Sequence, residues 1–392
     1  MINRTNISFE RFTNKSQESA DGAVAYLPRR LVSLDAFRGI TIALMLIIGN
    51  QGGESYSVFQ HAEWNGCTLT DLVFPFFLFA VGAAIPYSLG NRISRGDKKR
   101  RILLRIVYRS IILFALGLFL TGFPSFDLPT LRIMGVLQRI SLCYFFASVI
   151  FLALDVKKQI FTAVGLLLLY WALMTLVPVP GYEAGVLEKQ GNLAAYIDTM
   201  ILRPEHMWVI SGTWDPEGLL STMPALATTL IGVVAANYLR SNTSSKERVV
   251  NLLLFGFLGV AVGLIWNFWF PINKNLWTSS YVAFTGGIAL ILLAAAYHLV
   301  DLKEHRTWTK PFVILGANAI LVYVLSELMH YVEYQNITIS GVQVQLKPFI
   351  YENYFASWAG SLNGSLLYSS AYLMFWLAIM AILFKRRIFI KI

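Results

Sequence analysis

Residues 50–77, NQGGESYSVFQHAEWNGCTLTDLVFPFF, join two apolar runs at 32–50 and 69–89. Each run has the roughly 20 residues that carry a helix across the hydrocarbon of a bilayer. A turn between two such helices needs only a few polar side chains. This one gathers His61, Trp64, Asn65 and Asp71 where a membrane chain meets water, so it reads as a chemical site and the remaining chain as its container.

The bulk numbers describe that container. The 392 residues are 56% hydrophobic and 14% charged, with a mean hydropathy of +0.58. That is too apolar for an ordinary soluble domain. Helices and closed barrels alone satisfy every backbone group inside lipid. The expected fold is therefore all-α, a polytopic membrane protein with about ten transmembrane helices in one bundle. The further spans are expected at 102–122, 133–154, 158–177, 218–238, 250–270, 278–300, 312–331 and 365–386. Residues 1–30 read as a polar cytoplasmic tail without a cleavable signal, and 31–392 as the transmembrane domain.

A net charge of +10 would suit a nucleic-acid partner if it formed one patch, but its distribution follows the loops instead. Of the 32 Lys and Arg, 24 fall on the side of the termini and 5 on the other, with Arg38, Arg109 and Arg139 left inside spans. The positive-inside rule makes the basic side cytoplasmic and turns the His61 loop outward. Two long outer loops, 178–217 and 332–364, stand out. Within them, 193–208 has the look of an amphipathic surface helix and 336–346 the alternation of a short hairpin. No broken-helix pair of the transporter kind is expected. Cys67 and Cys143 are too few for a disulfide framework or a metal site.

Several residues carry chemistry. A neutral imidazole at His61 can take a proton from an amine or attack an activated acyl group. Asp71, ten residues on, can orient that ring as the acid of a triad does, or simply cap the second span. Asn50 can donate to a developing oxyanion. Trp64 is either an interfacial anchor or a platform for a sugar ring. Arginines deep in a span need a partner or water. Arg38 has Asp35 one turn away, whereas Arg109 and Arg139 imply a hydrated cleft fit for a polyanion. In WDPEGLLST (214–222), Asp215 reads as the N-cap of the sixth span, with Pro216 and Glu217 in its first turn. PINKNLWTSS (271–280) reads as a tight polar link, and Glu327 and His330 as residues near the outer end of span nine. From the residues alone, acyl transfer and transport of a glycan or small anion both stay open, with a non-catalytic scaffold third.

RLVSLDAFRGITIALMLIIGN, HAEWNGCTLTDLVFPFFLFAVG, LRIMGVLQR, WDPEGLLST, PINKNLWTSSYV, NAILVYVLSE and KRRIFIKI run in one order from about residue 30 to the end. In these blocks the chain resembles the transmembrane part of the heparan-alpha-glucosaminide N-acetyltransferase family. The resemblance implies an enzyme that passes acetyl from cytosolic acetyl-CoA, as co-substrate and without a metal, to an amino sugar or glycan across the membrane. It implies a catalytic His61 with Asn50 and Asp71 around it. On that mechanism the positions of the cations put Arg38, Arg105, Arg109 and Arg139 near the donor, and Trp64, Asn65 and Glu327 are expected to meet the acceptor. The resemblance also implies a homodimer among membrane lipids and, without the extra lumenal domain of lysosomal members, a bacterial inner membrane. Gln51, Glu54 and Ser326 depart from the family pattern near the acceptor pocket, which leaves the acceptor's identity open.

Overall fold

The structure, a computed structural model, describes residues 31–339 and 342–390; the expected tail at 1–30 lies outside the described residues. Among these, nine helices are long and apolar enough to cross a membrane, and a bent pair makes a tenth crossing. They are α1 (Val32–Gly49), α2 (Val73–Ser94), α3 (Lys99–Gly122), α4 (Val136–Ala153), α5 (Val156–Leu176), α7 (Thr222–Leu239), α8 (Ser245–Trp266), α9 (Ser279–Ala296) and α12 (Ser361–Lys385), with α10 (Lys310–Ala317) and α11 (Ala319–Glu333) as the bent pair. Every expected span has its helix, and the chain is an integral membrane protein. The short α6 (Leu193–Leu202) forms where an amphipathic helix was expected, and stops where Arg203 enters the left-handed region before Pro204. The hairpin is present too: β1 (Asn336–Ile339) pairs antiparallel with β2 (Val342–Gln345), Asn336 opposite Gln345.

The helices are not equally enclosed. In the apolar window of α7, 67% of residues are buried, against 17% in α8, whose Leu254, Phe255, Phe257, Leu258 and Ile265 stay exposed. An apolar exposed face is what lipid accepts, so α8 belongs to the perimeter and α1, α2 and α7 to the centre. Local signals set the helix starts. Asn192 Oδ1 accepts from Ala195 N at 2.8 Å to cap α6, and Ser244 with Glu247 closes a capping box on α8.

At the centre, backbones touch. A Cβ on Gly39 of α1 would overlap the Phe312 carbonyl of α10, and one on Gly82 of α2 would overlap the Thr229 carbonyl of α7. Small residues let helices approach this closely where no hydrophobic force drives them together.

One expectation is corrected: the chain does contain a broken helix. α10 and α11 meet at 69° around Asn318, whose backbone (φ −126°, ψ 37°) has left the helical region. The closing segment of the chain holds the residue at the bend: Asn318 Nδ2 donates to Ile388 O at 3.1 Å, and Asn318 Oδ1 accepts from Ile390 N at 2.9 Å.

Replacing Gly39 by Ala is expected to lower the thermal midpoint of the purified protein, through overpacking worth about 1–3 kcal/mol. Gly165→Ala, whose new methyl would meet open space, should leave the midpoint unchanged or slightly higher. Equal melting curves for the two variants in detergent would refute the close-packing account.

Candidate active site

Asp71 organises the loop that precedes α2. Its carboxylate is 1% exposed and turns back into the loop rather than forward onto the helix, which sets aside the capping alternative. His61 Nδ1 stands 2.6 Å from Asp71 Oδ1. Asp71 Oδ2 accepts from Ala62 N at 3.1 Å, Thr68 N at 3.0 Å and Thr68 Oγ1 at 3.1 Å. The Tyr281 hydroxyl donates to the Asp71 carbonyl. An ionised carboxylate can only accept, so His61 carries its proton on Nδ1 and leaves the Nε2 lone pair free. The imidazole is 56% exposed on that other side. An oriented ring with one free nitrogen is the arrangement that accepts a proton from a nucleophile or becomes one.

A second loop, between α8 and α9, is stitched against the first. Gly66 N donates to Ile272 O at 2.7 Å, from a backbone (φ 114°) that favours glycine. Asn273 Nδ2 donates to Asn65 Oδ1 at 3.1 Å, and Asn273 Oδ1 accepts from Leu276 N at 2.9 Å. This stitching delivers Lys274 to His61, its Nζ 3.1 Å from Nδ1 and 3.4 Å from Nε2. Burial pushes the Lys274 ammonium below the usual lysine range, although Glu217 and Asp71 oppose the shift. Burial and the nearby Asp71 carboxylate push the Cys67 thiol up to about 12, so no thiolate competes with the imidazole.

His61 and Lys274 open on a cavity of about 230 Å³ between α1, α2, α4 and α11. Its walls are mostly apolar, with Thr41, Thr70, Glu217, Tyr323 and Glu327 as the further polar residues. Glu217 does not start a helix, contrary to the reading of WDPEGLLST: α7 begins at Thr222 behind Ser221. Asp215 Oδ1 still accepts from Glu217 N at 2.9 Å, and a remote partner shares both carboxylates. Arg132 donates from Nη2 to Asp215 Oδ1 at 2.6 Å and to Glu217 Oε2 at 2.6 Å, and from Nε to Asp215 Oδ2 at 3.1 Å. Burial alone would lower the Arg132 pKa, but the two carboxylates more than offset it and hold the guanidinium above its ordinary value.

A second cavity of about 240 Å³ lies toward the opposite end of the bundle, lined by Arg38, Ser88, Arg109 and Tyr144 among others. The two cavities share Phe77, Leu137, Ile140 and Ile320 as a common wall. The Arg109 guanidinium lies 4.8 Å from the Tyr144 ring centre, and its buried Nε has no hydrogen-bond partner among the described residues. Arg38 Nη1 is 3.8 Å from Asp35 Oδ1.

Other expected site residues go elsewhere. Arg139, fully buried, lines neither cavity; it donates from Nη2 to Gly218 O at 3.0 Å and to Ser221 Oγ, with its guanidinium 5.1 Å from the Trp277 ring centre. Its side of α4 faces the start of α7, which depth in a span does not reveal. Arg105 is exposed on α3, outside both cavities. Asn50 is 3% exposed, its Oδ1 unpartnered among the described residues, and lines neither cavity although its neighbour Gly49 does. Trp64 is 8% exposed: Nε1 donates to Leu187 O at 2.9 Å and the ring packs edge-on against Trp214. No open face is left for a sugar, which sets aside the platform reading; the indole is packed inside the protein. Asn65 is exposed and spent on Asn273, and His330 pairs with Glu333 at 3.4 Å. Only Lys274 and Glu217 were missed, and the signal for Lys274 was its rarity as one of five outer cations.

Comparison with known proteins bears on what such a site does. Residues 30–182 match a family described as a domain of unknown function (DUF5009). The chain is 32% identical to human (Homo sapiens) heparan-alpha-glucosaminide N-acetyltransferase, over 96% of this chain and 62% of that protein. It is also 32% identical to the mouse (Mus musculus) protein of that name, over 76% of this chain and 54% of the relative. The chain thus spans less than two thirds of the length of these relatives.

The Asp198 carboxyl of α6, 1% exposed, gives a pH prediction. Its Oδ1 accepts from Leu219 N at 2.7 Å, and burial pushes its pKa up to about 7. A carboxyl raised above its unfolded value binds more protons folded than unfolded, so its contribution is fully present in acid and lost as pH rises through 7. Asp198→Asn keeps the acceptor without the charge. It should raise the thermal midpoint by a few degrees at pH 8, with the gain shrinking as pH falls toward the ordinary aspartate range, where both states hold the proton; the reverse trend would contradict this environment.

Proposed function

Starting from the chain's place among relatives of heparan-alpha-glucosaminide N-acetyltransferase, we propose that it moves acetyl from acetyl-CoA on the basic, cytoplasmic side to an amino sugar or glycan on the other. The observation that carries this reading is the pair of cavities sharing one wall, with the His61–Asp71 pair at one end and Arg38 and Arg109 at the other.

The donor's phosphates suit cations, and the second cavity offers two, Arg109 with donor capacity unspent. Its slender pantetheine arm suits an apolar route, and the wall between the cavities, Phe77, Leu137, Ile140 and Ile320, is where the arm would have to pass. The thioester then comes to His61. As the acceptor amine attacks the carbonyl carbon, Nε2 takes its proton and the charged ring is held by Asp71. His61 acting as a transient acetyl carrier uses the same geometry. Glu327 and Glu217 line the chamber where an amino sugar would sit, and either carboxylate can hold its ammonium or hydroxyls.

A second reading, transport of a glycan or anion, draws on the broken helix at Asn318, since interrupted helices line transporter sites. It requires movement of substrate without acetyl-CoA.

Incubating the purified protein with labelled acetyl-CoA and a panel of amino sugars should give labelled N-acetyl product. His61→Ala is expected to lower turnover by at least about 100-fold while coenzyme A still binds. Wild-type turnover in that variant would end the proposed role. Arg109→Ala should weaken coenzyme A binding about tenfold, the weight of one charge-assisted contact. An unchanged Kd by calorimetry would remove Arg109 from the donor site.

A further inference from the structure

The polar link 271–278 holds a cation that the reaction as described so far leaves unused. Lys274 lines the His61 chamber with its side chain 19% exposed, and its Nζ stands closer to the imidazole than to any carboxylate. Asp71 Oδ1 is 3.8 Å away, and the Asp71 carboxylate already accepts from His61, Ala62 and Thr68. At 3.8 Å the Lys274 ammonium is beyond hydrogen-bond distance of that carboxylate. Nζ is nearly equidistant from Nδ1 (3.1 Å) and Nε2 (3.4 Å), which places it off the axis of the Nε2 lone pair and leaves that lone pair open to the amine proton.

We propose that Lys274 is a catalytic residue of the acyl transfer, supplying the positive charge that stabilises the oxyanion of the tetrahedral intermediate. This rests on the acetyl-transfer reading and adds a group to it. An ammonium within a hydrogen bond's length of Nε2 is also within reach of a carbonyl whose carbon is being attacked by an amine at Nε2. The chamber walls include Phe74, Phe77, Ile140 and Ile320, and Lys274, its side chain 19% exposed, is partly withdrawn from water, where a fixed charge is worth more than in solution. Asn50, the other donor considered, lines neither cavity.

The step balances as follows. The amine nitrogen bonds to the thioester carbon and yields its proton to His61 Nε2, while the carbonyl electron pair moves to oxygen, against the Lys274 ammonium. Collapse restores the C=O bond and breaks the C–S bond. The coenzyme A thiolate leaves with the proton from His61. Lys274 keeps its proton throughout.

Its position is built. Asn273 is buried and bonded to Asn65 and Leu276, and Trp277 N donates to Lys274 O at 3.1 Å from a left-handed backbone at Trp277. The charged and titratable groups facing the ammonium are His61, Asp71, Cys67, Glu217 and Arg139. Burial lowers its pKa, so its charge is lost at a lower pH than for a free lysine.

The test compares wild type, Lys274→Met and Lys274→Arg in one labelled-acetyl assay, with coenzyme A binding measured on each sample. Lys274→Met is expected to lose about 100- to 1,000-fold in kcat, the cost of one oxyanion donor, with KM moving far less. Lys274→Arg keeps part of the rate. Wild-type activity should fall on an alkaline limb below the ordinary lysine range, and Lys274→Arg should displace that limb upward because guanidinium stays charged. A wild-type kcat in Lys274→Met overturns the proposal and leaves acetyl transfer standing. An unmoved limb in Lys274→Arg overturns it as well, and decides the matter if Lys274→Met does not fold. Wild type that transfers to no amine refutes the acetyl-transfer reading and the role of Lys274 together.

Discussion

A carboxylate buried from water, with both oxygens hydrogen-bonded, holds the architecture of this site together. Asp71 reaches three parts of the chain at once: the imidazole of His61, the backbone of its own loop at Ala62 and Thr68, and, through its carbonyl, Tyr281 of α9. A buried anion left unpaired would be costly, so each of these partners is obliged to stay. The ring orientation follows from that obligation, as does the docking of the loop onto α9.

Electrostatics at the two ends of the bundle differ in kind. Near His61, charges are arranged in opposed sets, Lys274 beside Asp71 and Arg132 between Asp215 and Glu217, so the chamber has local fields without a large net charge. At the other end Arg109 rests on an aromatic face and has no acidic partner among the described residues. A guanidinium in that condition is one a polyanion can claim without first displacing a carboxylate.

Much of this was legible in the sequence where the information is local. Span length and hydropathy located the transmembrane helices because lipid forces every backbone group to pair within its own helix. The hairpin showed in its alternation, and His61 and Asp71 lie ten residues apart in one loop. Where partners are distant, local rules misled. Asp215, Pro216 and Glu217 satisfy the rules for a helix start, yet Arg132, 83 and 85 residues before the two carboxylates, shares them. Asn318 looked like the interior of a span, yet it sits at a bend where its side chain accepts from Ile390, 72 residues later. Lys274 is 213 residues from His61, and no spacing rule joins them. Depth suggested a polar cleft at both Arg139 and Arg109. Which side of α4 or α3 each occupies was decided by packing, and only Arg109 met a cavity.

The wall shared by the two cavities consists of Phe77, Leu137, Ile140 and Ile320, with no polar side chain among them. A constriction of that composition is hard to wet, and a dry neck insulates against hydrated ions and proton wires far better than against a flexible organic chain. The bundle can therefore hold a chamber open at each end without short-circuiting the ionic gradients of the membrane that surrounds it.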